Sequence, residues 1–265
     1  TKTVDRILNA DIYKKKEVRD NFNELTLKFK GNYRIVFRAY NEGIAYRFES
    51  DIKGDIIVEN ELSEFNFLHD AKAYIPYVRD NVATLESQFG NPFENIYKYE
   101  NISQWDTSRI AFLPLLVEGR NGKKLCILEA DLLNYPGMYL YNGDGSNTLK
   151  SVFAPYPKEV EQGGYLNLQG LVKSREPYIA KVSGVTSFPW RIMVVSENDK
   201  ELADNDMVFK LATRPQGDFS WVKPGKAAWE WWHAWNLLGV DFKTGINNET
   251  YKCYIDFASR YGVEY

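Results

Sequence analysis

Glu129 and Asp131, within Lys124-Leu125-Cys126-Ile127-Leu128-Glu129-Ala130-Asp131, are two carboxylates spaced to share one face of a β-strand. At a rise of about 3.4 Å per residue their Cα atoms lie about 7 Å apart. The same spacing equally describes the solvated face of an edge strand, with Leu128, Ala130 and Leu132 turned to the core. A second concentration lies at 229–235, where Trp229, Trp231, Trp232 and Trp235 surround Glu230 and His233. Flat amphipathic rings of this kind either stack on the C–H faces of sugar rings or fill a core. Lys150 and Ser151, with the preceding loop Gly143-Asp144-Gly145-Ser146-Asn147, follow the Glu129 strand closely enough to reach the same rim, although that loop also has the composition of a plain turn. Lys14-Lys15-Lys16 reads as a solvated charge run.

Other chemistries are poorly supplied. The histidines are His69 and His233, and no Gly-x-Ser-x-Gly elbow occurs, so a hydrolase triad fits badly. Cys126 and Cys253 form neither a metal spacing nor a disulfide framework. With 33 basic against 36 acidic residues the formal charge is -3, so no global basic field draws nucleic acid or an anionic membrane. No stretch approaches the roughly 20 apolar residues that span a bilayer. Chemistry in this chain would have to run on carboxylates.

The elements that must position these residues are mostly strands. Apolar and polar residues alternate from Asn23 to Glu49, and Asn41-Glu42-Gly43 supplies the turn of a hairpin over 33–49. Short strands are predicted at 64–67, 110–118, 124–131, 138–141, 178–182 and 191–196, a spacing without intervening helices that indicates a sandwich. The character changes near residue 214. Trp229-Glu230-Trp231-Trp232 is apolar enough for a buried strand, and 249–261 has helical spacing between an Asn248 cap and a Gly262 stop. Val263-Glu264-Tyr265 opens a further strand, so 215–265 reads as a linker and the first β/α unit of a barrel. In a barrel, Trp232, His233 and Trp235 at the end of that strand would line a sugar subsite; alternatively, the tryptophans plug the barrel and seal it.

Taken in order, Asn23-Glu24-Leu25-Thr26, Phe37-Arg38-Ala39-Tyr40, Glu129-Ala130-Asp131-Leu132, Tyr135-Pro136-Gly137-Met138-Tyr139, Phe153-Ala154-Pro155, Arg175-Glu176-Pro177-Tyr178, Phe188-Pro189-Trp190-Arg191, Lys223-Pro224-Gly225-Lys226 and Trp229-Glu230-Trp231-Trp232 make the chain resemble glycoside hydrolase family 97. The resemblance implies an N-terminal β-super-sandwich, here residues 1–214 without its first strands, followed by the start of a catalytic (β/α)8 barrel. It implies an exo-acting glycosidase hydrolysing α-galactosides or α-glucosides through two carboxylates on later barrel strands, which 1–265 does not contain. The family holds both inverting α-glucosidases and retaining α-galactosidases, and this stretch of chain does not choose between them.

The resemblance further implies a calcium ion beside the active site, held by barrel carboxylates and one sandwich glutamate, which matches Glu129. A carboxylate suits this hard, oxygen-seeking cation, and Asp131 becomes a possible second ligand. The expected partner is an oligosaccharide, and the expected location is the bacterial periplasm or exterior. The residues alone support a non-catalytic carbohydrate-binding sandwich nearly as well.

Overall fold

The computed structural model describes residues 1–10, 12–79, 84–91 and 93–265. It divides into two compact units, Thr1–Thr213 and Arg214–Tyr265.

The first unit is built from β1 (Lys2–Asn9), β2 (Glu17–Phe29), β3 (Tyr33–Tyr40), β4 (Gly43–Ser50), β5 (Asp55–Val58), β6 (Glu64–Asn66), β7 (Lys72–Ile75), β8 (Lys98–Asn101), β9 (Leu115–Glu118), β10 (Lys124–Ala130), β11 (Met138–Tyr141), β12 (Thr148–Phe153), β13 (Pro157–Gly163), β14 (Gln169–Arg175), β15 (Ala180–Ser183), β16 (Thr186–Ser187) and β17 (Trp190–Ser196). Its main sheet runs β1-β2-β3-β4-β17-β10-β9-β7-β8, with β16 added beside β4. A smaller sheet runs β11-β12-β6, and β5 pairs with β15.

Alternation explains both faces of the main sheet. From β7, β9 and β10, Ala73, Ile75, Leu115, Val117 and Ile127 meet Phe65, Met138, Leu140, Leu149 and Phe153 of the smaller sheet in one core. The opposite face carries Phe22, Val36, Ala45, Ile192 and Val194, closed by Met207 and Leu211 of the short helix α3; α1 (Leu85–Phe89), α2 (Asp199–Ala203) and α3 (Met207–Leu211) are each about one turn long. On this second face Trp190, 1% exposed, lies between the guanidinium groups of Arg38 and Arg47, 4.6 and 4.4 Å from its ring centroid. Those cation–π contacts hold β17 in register.

The hairpin over 33–49 and the strand at 138–141 form as the alternation predicts. The predicted strand at 110–118 forms only from Leu115, because Pro114 has no N–H to give to the ladder. The ribbon β13–β14 lacks alternation because most of its residues face solvent on both sides. Lys14 and Lys16 are exposed, as a solvated charge run requires, but Lys14 and Lys15 are also engaged. Lys14 Nζ donates to the Ala203 and Asn205 carbonyls at 3.1 and 2.9 Å, and Lys15 Nζ reaches Asp204 and Asp206 at 2.8 and 2.6 Å.

In the second unit, α4 (Asn248–Tyr261) ends at Gly262, whose φ of 63° suits glycine. Its cap is Asn247 rather than Asn248, with the Asn247 side chain accepting from the Thr250 N–H. The predicted strand at Trp229–Trp232 is corrected as well. Residues Glu230–His233 form a 3-10 turn, and Trp229, Trp231 and Trp232 are 59%, 57% and 78% exposed. A parallel strand needs partners for its N–H and C=O groups on both edges; the cluster instead closes on itself, Trp232 N donating to the Trp229 carbonyl. Strand-like bonding appears just before it. Tyr265 N donates to the Lys226 carbonyl and Ala228 N donates to the Tyr265 carbonyl, the slanted exchange of a parallel pair. No described helix is long and apolar enough to cross a membrane.

Asp206 generates a testable consequence. Burial would raise its pKa, but the Lys15 ammonium and the Tyr13 hydroxyl outweigh that and hold it below the usual carboxylate range. A depressed carboxylate stabilises the fold above its unfolded pKa and ceases to do so as pH falls through the folded value. Asp206→Asn is therefore expected to cost roughly 1–3 kcal/mol at pH 7, a cost that shrinks as pH falls below the ordinary carboxylate range and through the lower folded value, as read by denaturant melts from neutral into the acid range.

Candidate functional site

Glu129 lies near the end of β10, between β17 and β9, so it is on an interior strand and not on an edge. Leu128 and Ala130 face the α3 side, whereas Glu129 turns with Ile127 toward the smaller sheet and is only 11% exposed at its side chain. Directly opposite in register on β17 is Arg191, whose side chain is 1% exposed. Burial inside a sandwich disfavours both charges, and the geometry answers it with pairing. Arg191 Nη1 donates to Glu129 Oε2 at 2.6 Å, while Nε and Nη2 donate side by side to Oε1 and Oε2 of Glu61, each at 2.7 Å.

Glu61 is in turn held by donors. The Tyr135 hydroxyl donates to its Oε2 at 2.9 Å and the Ser63 hydroxyl to its Oε1 at 3.1 Å, Ser63 itself accepting from Tyr46 of β4. Glu129 also accepts from the Met138 N–H, 3.1 Å from both of its oxygens. Burial pushes the Glu129 carboxyl above the ordinary glutamate range, against the opposing pull of Arg191 and the Met138 N–H. Two carboxylates and one guanidinium leave one formal negative charge in this cluster, and Oε1 of Glu129 has only a shared N–H as partner.

Glu129 lines a cavity of about 550 Å³ whose walls also include Tyr135, Gly137, Tyr139, Tyr156, Arg175 and Lys181. Gly137 matters here because a Cβ at that position would stand 3.3 Å from Glu129 Oε1. Arg175 is fixed at the rim by Glu86 Oε1 at 2.5 Å and the Pro155 carbonyl at 2.7 Å, and Phe89 and Phe112 pack on Tyr139 at 5.5 and 5.3 Å. The wall is thus largely aromatic, with one carboxylate, Glu129, and two cations, Arg175 and Lys181, among its lining residues.

Asp131 does not share the Glu129 face. The strand ends at Ala130, Asp131 has a φ of 68°, and the alternation stops with it. Its carboxylate accepts from the Thr213 N–H and hydroxyl at 2.9 and 2.8 Å, with Arg47 at 3.8 Å. Ser151 spends its hydroxyl on the Ser63 N–H and the Glu61 carbonyl, and Lys150 stands exposed, 3.7 Å from Asp144. Neither lines the Glu129 cavity. In the second unit, His233 Nε2 lies 2.7 Å from the Tyr254 hydroxyl and Trp235 Nε1 donates to Tyr251 at 3.1 Å, so both lean on α4, while Trp232 is exposed. Burial pushes the Cys126 thiol up to about 11, too high for a nucleophile at neutral pH.

The fit to calcium is that of a single arm. Among the described residues no three His, Cys, Asp or Glu side chains converge as a metal group. One hard-oxygen side chain, Glu129, lines the cavity from a cluster carrying a surplus negative charge. That donor suits calcium, with the remaining oxygens to come from outside 1–265.

Arg191 and Glu61 escaped attention in the sequence. A charged residue inside the run Trp190-Arg191-Ile192-Met193-Val194 was the available signal, since a buried charge requires a partner. Glu61, in the polar stretch Glu59-Asn60-Glu61, offered none.

Residues 1–214 match the glycosyl-hydrolase 97 N-terminal family, and the chain belongs to glycoside hydrolase family 97. It is 49% identical over 266 residues to a retaining α-galactosidase of Bacteroides thetaiotaomicron, covering 100% of this chain and 40% of that protein. It is 26% identical over 259 residues to a probable retaining α-galactosidase of Streptomyces bingchenggensis, covering 95% of this chain and 34% of that protein. A family 97 enzyme from Pseudoalteromonas, solved with acarbose, superposes with a TM-score of 0.74 at 23% identity over 99% of this chain and 37% of its own. A β-arabinopyranosidase crystal structure gives 0.73 at 20% identity, over 100% and 40%. At these identities the two structures bear on the fold alone. The chain spans about two fifths of the length of the first of these curated relatives and about a third of the second.

Removing the cation from this cluster leaves two facing carboxylates buried. Arg191→Met is expected to cost about 3–5 kcal/mol of unfolding free energy, whereas Lys150→Ala, at an exposed site, stays within about 0.5 kcal/mol of the parent; chemical denaturation of both variants tests the contrast.

Proposed function

We propose that this chain is the substrate-side sandwich of an exo-acting, retaining α-galactosidase, exported to the periplasm or exterior of a bacterium. The observation that carries the reading is the 49% identity to a retaining α-galactosidase along the whole chain. The two catalytic carboxylates belong to barrel strands beyond residue 265, and hydrolysis with retention uses one as nucleophile and one as acid–base.

This chain contributes Glu129, offered from the floor of the cavity as one ligand of a calcium ion. Glu129 would hold the ion, whose chemistry there would be to polarise or orient a sugar hydroxyl. Arg191 and the Met138 N–H keep the carboxylate from rotating, and the aromatic wall around Tyr139 and Tyr156 excludes water and presents flat faces to a pyranose ring. Trp232, His233 and Trp235 are proposed to border the sugar subsite, His233 and Trp235 being held in place by Tyr254 and Tyr251 of α4. Asp131 anchors Thr213 and leaves the metal to Glu129.

The test compares the full-length protein with the 265-residue chain on aryl α-galactoside and aryl α-glucoside. The full-length protein is expected to prefer the galactoside, to lose activity on chelation, and to lose about tenfold or more on Glu129→Ala. The 265-residue chain turns over neither. A full-length protein that prefers the glucoside, or whose activity survives both chelation and Glu129→Ala, refutes the reading.

A further inference from the structure

The cluster behind Glu129 has a direction. Glu61 binds Arg191 side-on through Nε and Nη2, and Glu129 is met through Nη1. Tyr135 and Ser63 fix Glu61 from behind. Arg191 meets Glu129 at Oε2, Glu129 and Gly137 both line the cavity, and a Cβ at Gly137 would stand 3.3 Å from Oε1, so the missing side chain leaves that oxygen room.

We propose that Glu61, acting through Arg191, is a positioning residue that sets the direction in which Glu129 presents its open oxygen, and that Gly137 keeps that oxygen accessible to a divalent cation. This rests on the reading of Glu129 as a calcium ligand. The physical reason is the division of one guanidinium between two carboxylates. While Glu61 takes the side-on pair of N–H groups, the guanidinium holds Glu129 at one oxygen only, and its charge is only partly compensated. If Glu61 is neutralised, Arg191 is free to bind Glu129 through both oxygens, which turns Oε1 inward and cancels the charge that attracts the cation. Groups that orient a ligand typically control 10–100-fold in metal affinity.

The experiment is calorimetric titration of calcium into the chelator-stripped full-length protein and its Glu129→Gln, Glu61→Gln and Gly137→Ala variants, each with a thermal melt. Gly137→Ala is the mild variant, because its Cβ meets only the far end of a side chain. Glu61→Gln and Gly137→Ala are each expected to raise the calcium Kd by about tenfold or more, Gly137→Ala without change in melting temperature. If Glu129→Gln binds calcium as tightly as the parent, the ligand reading itself fails and takes the positioning role with it. If Glu129→Gln weakens binding while the other two variants bind normally, the positioning role is overturned and the ligand reading stands. Should Glu61→Gln fail to fold, Gly137→Ala decides alone. A lowered melting temperature in Glu61→Gln with unchanged calcium affinity assigns Glu61 to stability only.

Discussion

The guanidinium of Arg191 is a full positive charge inside a sandwich, and much of the first unit can be understood as the means of keeping it there. The effective penalty for burying an ion is several kcal/mol. A single carboxylate at about 4 Å returns roughly 4 kcal/mol at an effective dielectric of about 20, so one partner leaves little margin. Glu61 and Glu129 together satisfy three of its donors. The second carboxylate is itself buried, and the strain of that arrangement falls on Glu129, which burial pushes toward its protonated form. The residue that fits least well in the fold is the one that faces the cavity.

Both layers contribute to this arrangement. Main-sheet pairing puts Arg191 opposite Glu129 and opposite Tyr46. The smaller-sheet side brings Ser63, Tyr135 and Met138 to meet them, with Ser151 on β12 tying Ser63 and Glu61 to that sheet. On the reverse side of β17, Trp190 clamped by Arg38 and Arg47 prevents the strand from slipping. A slip of one residue would exchange Trp190 and Arg191 between faces, placing an indole in the ion cluster and a guanidinium among Phe22 and Val36.

The sequence displayed the parts of this fold governed by local periodicity. The hairpin over 33–49, the strand at 138–141 and the final helix follow from alternation, turn residues and capping, all of which act within a few residues. The ribbon β13–β14 was hidden because both its faces meet solvent. The Trp229–Trp232 strand was misplaced because aromatic composition does not say whether hydrogen-bonding neighbours exist. Within the site, Glu129 stood out through the resemblance to family 97, while Asp131 seemed its companion only under the assumption that the strand continued, which a single left-handed residue ends. Glu61 depends on a contact 130 residues distant, beyond any local pattern.

That distance carries a consequence for how such a protein can change. Glu61, Glu129 and Arg191 lie on separate stretches of chain, 130 and 62 residues from their common partner, yet their charges form one sum. Replacing Arg191 alone leaves two buried carboxylates facing each other, and replacing both glutamates leaves a buried guanidinium without a counter-charge, so the cluster can be exchanged for apolar residues at low cost only by changing all three positions together.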